Sequence, residues 1–115
     1  MRHPVDIYTQ DMFSVGHAAA KASADRANKE IPLWTVKAEA HFRHFAEMVK
    51  RPFLTEEARK HAEELGLPSP PDGRAWGHVA KAAQRNGIVV SAGFAAAQSS
   101  NGSPKVLWRA ANGKN

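Results

Sequence analysis

The sequence predicts a mainly helical α+β fold: a three-helix core followed by a C-terminal β-hairpin, with an additional helix ahead of it. Three observations predict it. Apolar residues recur at helical spacing between about Leu33 and Lys50, two more helical stretches follow between turn signals, and two β-prone runs close the chain around a polar loop. A length of 115 residues fits a single domain with a modest core.

The elements follow in order. Residues 1–9 have no periodicity and read as a loose arm. From about Gln10 to Asn28 the chain is rich in alanine, the best helix former, and its small apolar stripe suits light packing on the domain or on a second copy. Ile31-Pro32 ends that helix, because the residue before proline avoids helical backbone angles. Trp34, Ala38, Phe42, Phe45 and Val49 then draw one buried stripe, with Lys37, Arg43, Glu47 and Lys50 outside it, until Pro52 stops the helix. Phe53-Leu54 is long enough only to pair with the edge of a small sheet.

Thr55 has the chemistry of an N-cap, and Glu56 and Glu57 suit the positive end of a helix dipole. Ala58, Ala62 and Leu65 mark the inner face of that short helix, and Gly66 the position after its end. The prolines of 67–71 make a stiff connection. Asp72 is then the expected N-cap of a helix from about Gly73 to Asn86-Gly87. Ile88 to about Ala96 and Val106–Arg109 read as strands joined by a polar loop with an Asn101-Gly102 turn signal. The organisation expected is an arm and accessory helix over 1–31, the main domain over 32–110, and a tail over 111–115.

Composition excludes several classes. Without cysteine there is neither a disulfide framework nor a thiolate metal site. No apolar run approaches the roughly 20 residues of a membrane span, and the first residues lack the apolar region of a secretory signal, so a soluble cytoplasmic protein is expected. His41 and His44 stand three apart on a helix but have no third ligand at zinc spacing. Ser99 and Ser100 have no evident histidine partner, and no phosphate-binding glycine loop occurs. The chain is expected to be neither an enzyme nor a cofactor carrier.

Charge is distributed unevenly. Residues 1–31 carry four basic and four acidic side chains and residues 32–70 carry six of each, whereas 71–115 carry six basic ones against Asp72 alone. The whole excess of +5 sits in the last third, a one-sided field that attracts polyanions. Arg74, His78, Lys81 and Arg85 stand at i, i+4, i+7 and i+11 and share one helix face, with Trp76, Val79, Ala80 and Ala83 on the other. Arginine can bond bidentately to guanine, lysine to a base or phosphate, and Gln84 can read adenine. Ser100, Asn101 and Lys105 in the hairpin loop suit phosphate oxygens. The plain alternative is a solvated helix face and an ordinary hairpin tip. Trp34, Trp76 and Trp108 read as packing anchors.

The order helix, short extended piece, helix, turn, helix, strand, polar loop, strand resembles the winged helix-turn-helix family, over about Leu33 to Arg109. The stretch Arg74-Ala-Trp-Gly-His-Val-Ala-Lys-Ala-Ala-Gln-Arg-Asn-Gly-Ile-Val is also similar to small phage or prophage proteins carrying that domain. The resemblance implies that the third core helix enters the major groove of double-stranded DNA while the hairpin, the wing, touches phosphates. The expected role is then transcription control or replication of a phage-like element, in or near the nucleoid. The proline-rich segment Gly66–Pro71 departs from the pattern, being longer than a tight turn. The rival expectation is an adaptor that docks a winged helix on an acidic replication or transcription protein. Pairing of the alanine-rich helix between copies would instead give a symmetric homodimer.

Overall fold

A computed structural model describes residues 18–96 and 104–111. Among these residues the chain forms four helices and a three-stranded antiparallel sheet: α1 (18–30), α2 (Trp34–Val49), β1 (Phe53–Leu54), α3 (Thr55–Glu64), α4 (Ala75–Arg85), β2 (Val89–Ala96) and β3 (Pro104–Ala110). No helix among them is long and apolar enough to cross a membrane. The expected arm, the tail beyond Ala111 and the loop bearing Ser100 and Asn101 lie outside the described residues.

The core is built on the stripe of α2. Trp34, Ala38 and Phe42 are fully buried, Phe45 and Ala46 nearly so, and Val49 packs at the margin. Phe53 of β1 meets Phe42 and Phe45 edge-on, with ring centroids 5.4 and 5.1 Å away. Trp34 meets Trp76 of α4 at 5.4 Å in a T-shaped pair, and its indole N–H donates to the carbonyl of Pro68 at 3.0 Å. That bond fastens the proline segment to α2, so the long connection is held on the domain. Ala24 and Ala27 of α1 join the same buried cluster. The helix expected to pack lightly therefore contributes to the core.

The sheet order is β1-β3-β2. As expected, the two-residue strand sits on one edge, with Phe53 opposite Trp108 and Leu54 opposite Leu107. β2 and β3 pair from Val89–Ala110 to Ala96–Pro104, with one register shift between Ser91 and Phe94. There Ala92 and Gly93 face the single residue Leu107, a β-bulge in which Gly93 takes φ 104°, a backbone angle that side chains resist.

Three expectations about helix ends are corrected. Leu65 is 60% exposed, not inner. α3 ends at Glu64, and the Gly66 and Leu67 amides bond back to the carbonyls of Glu63 and Ala62, turning the chain so that Leu67 takes the inward place. Thr55 is not the N-cap but the first residue of α3; its hydroxyl accepts the Trp108 indole N–H at 3.1 Å. The amide of Leu54 is instead satisfied by the Glu57 carboxylate at 2.9 Å. Asp72 caps an earlier turn: its carboxylate accepts the Arg74 amide, and the amides of Ala75, Trp76 and Gly77 bond three residues back in 3₁₀ fashion. The α-helical part accordingly begins at Ala75, not Gly73.

Candidate nucleic-acid interface

The sequence of α4 divides sharply by side. Ala75, Trp76, Val79, Ala80, Ala82 and Ala83 are buried, while Gln84 and Arg85 are exposed and His78 and Lys81 half-buried. Mostly small residues on the inner face let α4 lie close to its neighbours, and the basic stripe is left outward.

That outward stripe is not bare. α1 lies along it. Ser23, buried on α1, lies near enough to the Asp72 carboxylate just before α4 to help stabilise its charge. A Cβ at Gly77 would stand 3.8 Å from the Ala20 methyl. Ala20 and Lys21 then line an open groove of about 290 Å³ with His78, Lys81 and Arg85. Lys21 is paired with Asp25 at 3.0 Å across an exposed helix turn.

The groove brings together three of the predicted α4 residues, His78, Lys81 and Arg85, with Lys21, whose alanine-rich surroundings in the sequence suggest only a packing helix. Burial lowers the His78 imidazole pKa below its ordinary value, and the charge of Arg85 adds to this against the opposing pull of Glu39 and Asp25. Neutral imidazole is therefore favoured. Arg74 does not line the groove: its guanidinium folds onto Asp72, Nη2 to Oδ2 at 2.8 Å, with Nε also near both oxygens. The side-chain bond from Arg74, its amide bond and the Ser23 hydroxyl hold the Asp72 carboxyl well below the usual carboxylate range. Gln84 is exposed beside Lys81, whose ammonium lies 3.5 Å from its side-chain oxygen.

On the hairpin, Lys105 pairs with Ala95 and Arg109 with Val90. Both alternate onto the sheet face opposite Trp108, which is turned to the core. Neither lines the α1–α4 groove. Ser100 and Asn101 fall outside the described residues. Phe94, opposite Val106 next to the bulge, is 70% exposed; only its place in a non-alternating strand hinted at that. His44 stacks on His61 of α3 at 6.0 Å, and among the described residues no cluster of three or more metal-ligating side chains forms.

No family model matches this chain, and neither does any curated protein or solved structure.

Proposed function

We propose that the chain is a non-enzymatic DNA-binding module of the winged helix-turn-helix type, presenting the basic side of α4 to a duplex and the β2–β3 hairpin to the neighbouring backbone. One observation carries this reading. The cationic side chains of α4 come out on one outward surface, in a segment whose six basic groups face a single acidic side chain that is already neutralised by Arg74. Such a field draws in polyanions, and cations able to reach phosphates release condensed counterions on binding. The helix order and the edge pairing of β1 with β3 agree with a winged helix, α4 being its third core helix. A part in transcription control or in replication of a phage-like element would follow from such binding.

The test is a fluorescence-anisotropy titration of labelled duplexes, random and enriched in sequence, at two salt concentrations. Lys81→Glu/Arg85→Glu, checked for folding by circular dichroism, is expected to weaken binding at least tenfold. The log–log salt slope should flatten by about 1.8, which is about 0.9 for each of two phosphates no longer neutralised. A folded double variant that binds as tightly as wild type rejects the reading.

The adaptor alternative draws its support from Phe94, whose exposed ring on the hairpin suits an apolar partner surface better than phosphate. Partners retained after nuclease treatment, and absent with Phe94→Ser, would favour it.

A further inference from the structure

We propose that the α1–α4 groove seats one phosphate group between Lys21, Lys81 and Arg85, with His78 as a fourth donor that gains a proton when the phosphate enters. The inference rests on the duplex reading for the source of that phosphate, a backbone phosphodiester, but the pocket itself is defined by its own residues. Close approach of the helices at Ala20 and Gly77 leaves an opening beside Lys21. A volume of about 290 Å³ has room for about ten waters, and so for a phosphate with part of its hydration.

The local charge explains why the fourth group matters. Lys21 comes from α1 and Lys81 and Arg85 from α4; Asp25 of α1 and Glu39 of α2 oppose them. With neutral His78 the set carries a single net positive charge; protonation doubles it. Burial and the charge of Arg85 favour the neutral ring. A phosphate oxygen reverses that balance, because an adjacent anion stabilises the imidazolium and the charged ring can donate from both nitrogens. Linkage fixes the sign: if binding raises the imidazole pKa, binding tightens as pH falls through the bound-state value.

The full chain is titrated with duplex at pH 7.5, 6.5 and 5.5 at constant salt, as wild type, His78→Gln and Lys21→Gln. Separately, the His78 imidazole resonance, assigned by its disappearance in His78→Gln, is followed against inorganic phosphate and against duplex. Wild-type affinity is expected to rise severalfold, and by no more than tenfold per pH unit for one proton. His78→Gln should lose that part of the pH dependence, and Lys21→Gln should flatten the salt slope by about 0.9. Duplex and phosphate should each move the imidazole midpoint upward. If phosphate moves it and duplex does not bind, the pocket stands with a free phosphate as ligand and the duplex reading fails. If duplex binds through Lys81 and Arg85 while neither ligand moves the His78 midpoint, the pocket proposal is overturned and the duplex reading survives.

Discussion

Replacing Gly77 by alanine should make the protein more stable, and the expected size follows from the contact between α1 and α4. Gly77 sits in the first turn of the α-helical segment and does not share the positive φ of Gly66, Gly87 and Gly93. Glycine in a helix is about 0.8–1.0 kcal/mol less favourable than alanine. Among the described residues the added methyl would meet only the Ala20 methyl, at 3.8 Å, an ordinary van der Waals separation, so no strain there offsets the gain. The net effect is about 1 kcal/mol, or about 4 °C in Tm for a domain of this size. Thermal and urea melts followed by circular dichroism measure it. Gly77→Leu supplies a control: position 77 is exposed, so the longer side chain can turn to solvent and should leave stability close to that of the alanine variant. Destabilisation by alanine would mean that the helices approach more closely than described. Marked destabilisation by leucine would likewise mean that α1 covers position 77 more tightly than its exposure indicates.

Two further outcomes test the packing around the sheet and the start of α3. Thr55→Val keeps the shape but leaves the Trp108 indole N–H without its acceptor, and should cost about 1–3 kcal/mol in a urea melt, with a changed Trp emission maximum. At Glu57, burial pushes the carboxyl up, but the hydrogen bonds from Arg51 and the Leu54 amide prevail and leave it below its ordinary value of 4.5. A carboxyl lowered in the folded state adds stability that is complete above 4.5 and fades as pH falls through the folded value, so Glu57→Gln should show a shallower fall in Tm over that acid range than wild type.

Much of this fold is legible because its signals are local. The α2 stripe follows from helical spacing, and Gly66 and Gly87 mark helix ends because the closing turn needs a left-handed residue that glycine supplies without strain. The three tryptophans read as anchors, and all three are buried. What escapes a reading of the sequence depends on partners distant along the chain. Thr55 has the composition of a cap, yet its hydroxyl is taken by Trp108, fifty-three residues away. The position of α1 is illegible for a different reason: alanine has nearly equal propensity on every face of a helix, so Ala20, Ala24 and Ala27 reveal a packing stripe only once Gly77 and Ser23's neighbour Asp72 are in place. Lys21 is therefore invisible as a site residue. Leu65 misleads because a helical pattern carried one residue beyond Glu64 reads the closing turn as another turn of helix.

The placement of α1 also decides how α4 would meet a duplex. A bare α-helix, roughly 10–12 Å across with its side chains, fits a major groove about 12 Å wide. Two helices packed side by side, with axes about 8–10 Å apart, do not. Over Gly77 to Lys81 the outward side of α4 is shared with α1, whereas Gln84 and Arg85 at its C-terminal end are exposed. Arg74, at the opposite end, is engaged with Asp72. On the duplex reading, with α1 in place, the exposed Gln84 and Arg85 would be the groups nearest base edges, and Lys21, His78 and Lys81 would be left to phosphates. Contact of that kind gives affinity that falls steeply with salt and varies little with sequence. On the same reading, deeper contact with the groove by His78 and Lys81 would require α1 to leave α4, and leaving forfeits the burial of Ser23, Ala24 and Ala27. On that reading, any sequence preference beyond what Gln84 and Arg85 supply would be tied to the energy that holds α1 down.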